Sequence, residues 1–287
     1  MLNLVPLANH FDDFLRDLNN STEAGTVLNK IREENLEKLI RIRERSMQLS
    51  LNSLNSLSLS ILKESFAFDN LKVKLISWND SAAGIVEFIG KNDRVRPSES
   101  WAKLKKRLDG KVFKCYGVFH DKLREPVSFV YIKLSRGIPL SLAKLYEPID
   151  PHVVTDSCIF YSISSPFKGL NGIEFGAKLI KSVKEVIKTE HSQITTFATF
   201  SPVPLFRQWL RDHSNRFENL TDLKAENLES HEEELMAACE EYLKTKHDPV
   251  ARFHYRNGAK LGFIRFNADP SPQSFNQSYG IQVNYIY

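Results

Sequence analysis

The chain has 287 residues, of which 42% are hydrophobic and 26% are charged, and its formal net charge is +4. This balance is typical of a folded globular protein and excludes a disordered or fibrous chain. The small, dispersed positive charge suits an anionic small ligand but does not indicate a protein that binds nucleic acid.

No apolar run approaches the ~20 residues that a membrane-spanning helix needs, so we expect no membrane partner. The N-terminus has no basic n-region and carries Asp12, Asp13 and Asp17. We therefore expect neither a secretory signal nor an Arg-rich transit peptide, and we expect a cytoplasmic location.

The cysteines are odd in number and far apart in the sequence, at Cys115, Cys158 and Cys239. We expect them to be reduced core thiols of an intracellular protein rather than members of a disulfide framework. Neither a Cys-x-x-Cys nor a His-Glu-x-x-His pattern occurs in the chain. The sequence therefore predicts no metal site.

Residues from about 7 to 66 follow a helical pattern. The clearest helix is predicted over residues 27–47. Its apolar stripe has helical spacing and consists of Val27, Leu28, Ile31, Leu39 and Ile42. A favourable i, i+4 ion pair, Glu37–Arg41, is expected on the opposite face.

The hydrophobic period changes after this helical region. Alternating apolar and polar residues predict a strand over residues 71–78. Helices are predicted next, over 82–89 and 101–108. A β-hairpin that joins 112–119 to 127–134 follows them.

The stretch from Cys158 to Leu205 predicts an apolar strand, a glycine-spaced turn, an amphipathic helix and a second strand. The remaining predicted elements are helices over about 203–213 and 229–245 and strands over 250–255, 261–267 and 281–287. Helices followed by a region dominated by strands indicate an α+β fold. We place the boundary between a helical region at 1–69 and a second domain at 70–287.

Three glycines, Gly169, Gly172 and Gly176, stand where the predicted strand passes into the predicted helix. A helix N-terminus offers unpaired N–H donors and a positive dipole end, so this arrangement can hold a phosphate group. An ordinary turn with close helix packing explains the same spacing. Glu174 follows Asn171 by three residues, which predicts a capping box at the helix start.

Ser201 and His254 are candidates for chemistry with commonplace alternatives. Ser201 followed by Pro202 predicts a helix N-cap, and the chain has no Gly-x-Ser-x-Gly elbow. His254 falls in the predicted strand over 250–255, where a structural hydrogen-bonding role is common. The near-neutral intrinsic pKa of histidine nevertheless makes His254 the best proton donor at physiological pH.

Taken together, five ordered motifs resemble the malonyl-CoA decarboxylase family. They are Phe160-Tyr-Ser-Ile-Ser164, Gly169-Leu-Asn-Gly-Ile-Glu-Phe-Gly176, Thr196-Phe-Ala-Thr-Phe-Ser-Pro-Val-Pro204, Phe253-His-Tyr-Arg-Asn-Gly-Ala259 and Asn284-Tyr-Ile-Tyr287. The likeness extends from about Leu71 to the end of the sequence. It implies a GNAT-like mixed-sheet catalytic domain at 70–287 and a helical N-terminal region at 1–69 that supports homo-oligomerisation.

The resemblance also implies roles for individual residues. The catalytic positions it implies are Ser201, His254, Glu174 and Tyr287. The positions it implies for coenzyme A and substrate binding are Ser164, Gly169, Leu170, Asn171, Gly172, Ile173, Phe175, Gly176 and Asn257. The glycine segment would be the loop that binds the CoA pyrophosphate.

The activity that this resemblance implies is conversion of malonyl-CoA to acetyl-CoA and CO2, with malonyl-CoA as the partner. Loss of CO2 leaves an enolate, which needs hydrogen-bond donors and then a proton, so we expect His254 to deliver that proton with help from Ser201. No separate cofactor or metal is expected, since coenzyme A is part of the substrate. The alternatives are a GNAT-type acyltransferase, a non-catalytic CoA-binding or assembly protein, and a decarboxylase of another acyl-CoA or of carrier-bound malonate.

Overall fold

A computed structural model describes residues 5–150 and 152–287. Its contacts divide the chain into two compact units. The first unit comprises residues up to Lys105, Cys115–Phe129 and Ile163–Val183. The second unit comprises Lys106–Lys114, Val130–Ser162 and Lys184–Tyr287. The domain boundary between residues 69 and 70 stays a prediction.

The first unit opens with four helices. They are α1 (Val5–Asn19), α2 (Ala24–Glu34), α3 (Leu36–Gln48) and α4 (Asn52–Ser65). The single helix expected over 27–47 is wrong, because Asn35 ends α2 and caps α3 by accepting a hydrogen bond from Lys38 N–H at 2.9 Å. The ion pair Glu37–Arg41 is confirmed, at 2.5 Å.

Strand β1 (Leu71–Ile76) pairs antiparallel with β2 (Phe113–His120), with Leu71 opposite His120. Helices α5 (Ala83–Asn92) and α6 (Trp101–Arg107) lie between these strands in the chain. Each of these elements agrees with its sequence prediction to within a few residues.

The other strands are β3 (Ser128–Ser135), β4 (Ser157–Ser164), β5 (Thr196–Thr199), β6 (Ser201–Pro202), β7 (Lys260–Arg265) and β8 (Gln282–Ile286). Neighbouring strands follow the order β1-β2-β3-β4-β5-β8-β6, and β7 also pairs with β8. Strands β4 and β5 are parallel, whereas β8 is antiparallel to β5, β6 and β7. A mixed sheet preceded by helices confirms the predicted α+β class.

The described residues form seven further α-helices. They are α7 (Leu142–Tyr146), α8 (Phe175–Glu190), α9 (Phe206–Asp212), α10 (Ser214–Phe217), α11 (Glu232–Lys244), α12 (Pro249–Arg256) and α13 (Pro272–Ser278). Helices α7, α10 and α13 were not expected from the sequence. The strand expected over 250–255 is wrong, since those residues form α12.

An aromatic core in the second unit packs α9 and α11 against β8. Its largest members are Phe206, Trp209, Tyr242, Tyr279 and Tyr285. Burying one such side chain contributes roughly 1.5–3 kcal/mol relative to leaving it exposed. This core holds β8, the strand that immediately precedes Tyr287.

Cys115, Cys158 and Cys239 are buried free thiols, which confirms the prediction of reduced core cysteines. Within residues 5–150 and 152–287, none of the helices is both long enough and apolar enough to cross a bilayer.

Candidate active site

The glycine segment lies in the first unit, between β4 and α8. A short 3-10 turn over Lys168–Leu170 follows the strand, and α8 begins at Phe175. Gly172 has a φ of +88°, which a glycine adopts without strain and other residues rarely adopt. The predicted order of strand, glycine turn and helix is therefore confirmed.

Gly169 packs closely against α3, which leaves no room for a side chain. A Cβ atom at this position would lie 2.1 Å from the carbonyl oxygen of Ile40. The buried Arg43 guanidinium donates from Nη1 to the Gly169 carbonyl at 2.7 Å and from Nε to Asn55 Oδ1 at 3.1 Å. Burial also lowers the pKa of Arg43. Helix α3 thus holds the start of the glycine segment in place.

The capping box expected at Asn171 and Glu174 is wrong, because both residues precede the helix. Asn171 instead closes the 3-10 turn, and its N–H donates to Lys168 O at 3.0 Å. Phe175 N–H donates to Ile173 O at 3.1 Å, so the chain turns once more before α8 begins. Glu174 is exposed immediately before the helix N-terminus.

The side chains of the candidate binding residues differ in accessibility. Leu170 and Phe175 are buried, and Phe175 packs edge-on against Phe66 with ring centroids 5.4 Å apart. Asn171, Gly172 and Glu174 are exposed, Ile173 is half-buried, and Gly169 and Gly176 are buried.

Two other candidate binding residues make hydrogen bonds within the protein. The Ser164 hydroxyl accepts from the Arg94 N–H at 3.4 Å, and its carbonyl accepts from the Ser128 hydroxyl at 3.1 Å. Asn257 follows α12, and its Nδ2 donates to the Phe253 carbonyl at 2.9 Å. These bonds hold Ser164 and Asn257 in place, and their roles in binding coenzyme A or substrate stay predictions.

The second unit brings Ser201, His254 and Tyr287 together, and we name them the Ser-His-Tyr cluster. His254 Nε2 lies 3.2 Å from Ser201 Oγ, and its Nδ1 lies 2.7 Å from the Tyr287 hydroxyl. Ser201 and His254 are 5% and 4% exposed, whereas Tyr287 is partly exposed. Three sequence candidates from separate motifs therefore form one hydrogen-bonded chain, which ends at the partly exposed residue Tyr287.

The N-cap expected at Ser201 is wrong. Ser201 belongs to β6 and pairs with Val283 of β8, and α9 begins at Phe206. A residue that precedes proline is restricted to extended conformations, and the sequence here is Ser-Pro-Val-Pro. A strand rather than a helix terminus therefore positions the Ser201 hydroxyl.

His254 is presented by α12 rather than by a strand. The Asp248 carboxylate accepts from the N–H groups of Val250 and Ala251 at 2.9 and 3.0 Å, and Pro249 occupies the first turn. This cap and proline are a standard helix start. The His254 ring stacks on Tyr285, with centroids 4.6 Å apart and an interplanar angle of 23°.

Burial controls the charge of the cluster. It lowers the pKa of His254 from an ordinary value of 6.5 to about 3, and it raises the pKa of Tyr287. Both groups are therefore uncharged at physiological pH, which corrects the sequence expectation of a near-neutral pKa for His254. Such a chain can move a proton from one neutral group to the next.

We expect the buried, neutral state of His254 to make stability depend on pH. Because the folded pKa of about 3 lies below the ordinary 6.5, the unfolded chain binds the extra proton between these values. Stability is then greatest above that window and falls as the pH drops through it. Urea unfolding at several pH values should show a steeper loss in the wild type than in His254→Gln, which cannot titrate. Equal pH dependence in the two proteins would contradict a neutral, buried His254.

Thr199, which was not among the residues expected from the sequence, extends the cluster. Its Oγ1 accepts from the Ser201 hydroxyl at 2.9 Å and from Tyr285 N–H at 3.0 Å. Thr199 in β5 precedes Ser201 in β6 by two residues, and alternation along extended chain places both side chains on one face. That spacing is the signal that could have identified it. Among the residues the structure describes, no group of three or more His, Cys, Asp or Glu side chains could hold a metal ion.

A family model and a curated relative match this sequence, and both are malonyl-CoA decarboxylases. The family model described as the malonyl-CoA decarboxylase C-terminal domain matches residues 69–287. The chain is 28% identical over 275 residues to the mitochondrial malonyl-CoA decarboxylase of Anser anser anser, which covers 79% of this chain and 54% of the relative. The chain thus spans a little over half the length of this curated relative.

Solved structures extend the comparison to the fold. The malonyl-CoA decarboxylase of Agrobacterium vitis aligns with a TM-score of 0.78 and 28% identity, over 92% of this chain and 72% of that one. The GNAT-like decarboxylase GphF, solved in complex with isobutyryl-CoA, aligns with a TM-score of 0.51 and 16% identity, over 75% of this chain and 98% of that one. The second likeness shows a GNAT-like fold.

Proposed function

Because this chain belongs to the malonyl-CoA decarboxylase family, as the match over residues 69–287 establishes, we propose that it converts malonyl-CoA to acetyl-CoA and CO2. The observation that carries the proposal is the hydrogen-bonded Ser-His-Tyr cluster, whose serine and histidine are almost fully buried. The enolate that loss of CO2 leaves must be protonated, and a positioned proton donor near the reacting carbon accelerates that step.

In the first step, the bond between the malonyl carboxylate and the α-carbon breaks and CO2 leaves. The electron pair moves towards the thioester carbonyl and forms an enolate. Fixed donors aimed at the developing negative charge stabilise this species, and their effect is strongest where water is excluded. The thioester carbonyl itself accepts the electrons, so we propose neither a metal nor a separate cofactor.

In the second step, the α-carbon takes the proton carried by His254 Nε2, with the Ser201 hydroxyl orienting the exchange. The Tyr287 hydroxyl gives a proton to Nδ1 as Nε2 loses its own. After the products leave, Nδ1 returns that proton to Tyr287 and Nε2 takes one from water, which restores the starting state. The overall reaction consumes one proton, as conversion of a malonyl anion to acetyl-CoA and CO2 requires. Since the pKa of His254 is about 3, this neutral relay replaces transfer from an imidazolium.

We further propose that the Gly169–Gly176 segment holds the CoA pyrophosphate and that Glu174 adds a polar contact. Helix α8 is 16 residues long, and its N-terminus offers N–H donors to a phosphate group. Asn171 and Gly172, just before this N-terminus, are exposed. Leu170 and Phe175 would maintain the shape of this loop through their buried side chains.

Gly169→Ala is expected to lower the free energy of unfolding by about 1–3 kcal/mol, because the added Cβ would overlap the Ile40 carbonyl. It should also raise the KM for malonyl-CoA, since the loop must shift. Gly25→Ala in α2 is the matched control, because its Cβ would meet nothing within 4 Å. Urea unfolding and initial-rate kinetics measure both effects. An unchanged KM in a destabilised Gly169→Ala protein would count against the loop's role in binding CoA.

The function is tested by incubating the wild-type protein with malonyl-CoA alone and quantifying acetyl-CoA and CO2, which should form in equal amounts. Turnover only with an added amine would instead indicate an acyltransferase. Turnover only of another acyl-CoA or of carrier-bound malonate would indicate a related decarboxylase. Tight binding of CoA without turnover of any of these compounds would indicate a binding or assembly protein.

We also propose a cytoplasmic location and a homo-oligomer formed through the helices of region 1–69. The three buried free cysteines support a reducing compartment. Exposed apolar side chains on α1 and α3, Phe14 and Met47, support contacts with a second copy.

A further inference from the structure

At Thr199, a side-chain atom takes part in the hydrogen-bond ladder that joins β5 and β6 to β8. The strands pair in the same register before and after this residue. At Thr199, however, Tyr285 N–H donates to the side-chain Oγ1 at 3.0 Å, and Asn284 Nδ2 donates to the backbone carbonyl at 2.7 Å. The fully buried Thr199 hydroxyl is therefore part of the sheet's bonding and lies two residues from Ser201.

The donors and acceptors around Thr199 determine to which group its hydroxyl donates. A threonine hydroxyl has one proton and two lone pairs, and Tyr285 N–H occupies one lone pair. The other partners are the Ser201 hydroxyl at 2.9 Å and the Val283 carbonyl at 3.5 Å. A carbonyl oxygen can only accept, so it takes the Thr199 proton, and Ser201 donates its own proton to Thr199.

This direction passes along the rest of the cluster. Having donated its proton, Ser201 Oγ accepts from His254 Nε2 at 3.2 Å. His254 then carries its proton on Nε2, and its Nδ1 accepts from the Tyr287 hydroxyl at 2.7 Å. Tyr287, His254, Ser201 and Thr199 therefore each donate to the next group in this order. The last acceptor is the Val283 carbonyl of β8.

We propose that Thr199 is a positioning residue that fixes this direction and so holds His254 with its proton on Nε2, on the side of Ser201. The catalytic consequence rests on the proposed function, because Nε2 is the atom whose proton reaches the α-carbon. The tautomer itself is a property of the folded protein and needs no substrate. The opposite direction, with Thr199 donating to Ser201, would place the His254 proton on Nδ1.

Nitrogen-15 NMR of histidine-labelled protein at neutral pH distinguishes the two tautomers, and loss of a signal in His254→Gln assigns it. We expect the wild type and Thr199→Ser to show the Nε2–H form. Thr199→Val keeps the shape but removes the hydroxyl, so Ser201 should turn its proton to Nε2 and the signal should change to the Nδ1–H form. Thr196→Val, on the same strand, is the control and should leave the spectrum unchanged.

Kinetics provide the second readout. Thr199→Val should lower kcat for malonyl-CoA by ~10-fold or more, as expected when a proton donor is misdirected. Its KM should stay within about 2-fold of the wild-type value, since no substrate-binding group is removed. Thr199→Ser should restore most of the kcat, and Thr196→Val should not alter it.

A wild-type spectrum of the Nδ1–H form would overturn the inference, as would a Thr199→Val protein that keeps the Nε2–H form and a normal kcat. If Thr199→Val does not fold, Thr199→Ala removes the same hydroxyl without adding a methyl group and takes its place. Absence of turnover in the wild type would count against the proposed function, whereas the spectrum alone would still decide the role of Thr199.

Discussion

Replacing His254 with alanine is expected to lower kcat for malonyl-CoA decarboxylation by about 10²- to 10⁴-fold, the usual contribution of a positioned proton donor. The imidazole is the central member of the cluster, with Ser201 on Nε2 and Tyr287 on Nδ1. Its removal breaks the relay at both ends, and no other titratable group of the cluster can bridge the gap.

The measurement is the rate of acetyl-CoA formation by the purified variant, with a melting curve to confirm that it is folded. His247→Ala is a suitable control, because this histidine is exposed in the second unit and should be replaceable without loss of rate. Near-normal activity in a folded His254→Ala protein would show that another group delivers the proton, even if the protein is a decarboxylase.

Ser201→Ala is expected to have the next largest effect, a fall in kcat of roughly 100-fold. The variant removes the only cluster partner of His254 Nε2. The buried Nε2 atom then lacks its hydrogen-bond partner in the cluster, which costs about 1–3 kcal/mol. The histidine then loses its fixed orientation and the enolate loses a neighbouring hydroxyl. Because the CoA-binding segment is unchanged, KM should change little.

Steady-state kinetics across a range of malonyl-CoA concentrations separate kcat from KM for this variant. Ser214→Ala, at an exposed position that begins α10, is the matched control and should behave as the wild type. A Ser201→Ala protein with unchanged kcat would remove Ser201 from the mechanism and leave its role as a strand residue alone.

Local patterns in the sequence predict most elements but give the wrong local structure at His254 and Ser201. The run over 250–255 predicts a strand around His254, yet the Asp248-Pro249 pair before it is a helix start. The proline after Ser201 predicts a helix N-cap, whereas Ser201 and Pro202 form β6 and a turn at Pro204 and Leu205 leads into α9. At each site the sequence carries two local signals, one for a strand and one for a helix terminus, and the prediction follows the wrong one.

Contacts between distant residues were beyond the reach of periodicity. Ser201 and His254 are separated by 53 positions, and Arg43 and Gly169 by 126. The family resemblance named Ser201, His254 and Tyr287 as catalytic positions but gave no distances between them. The low pKa of His254 depends on burial in the folded chain, which its flanking residues do not reveal.

The most direct test of the central claim is a time course of the wild-type protein with malonyl-CoA in D2O, without amine, carrier protein or added metal. Loss of CO2 followed by protonation of an enolate should give acetyl-CoA that carries one deuterium on its methyl group, together with an equal amount of CO2. Folded protein that leaves malonyl-CoA intact, or that releases malonate instead of CO2, would contradict the account.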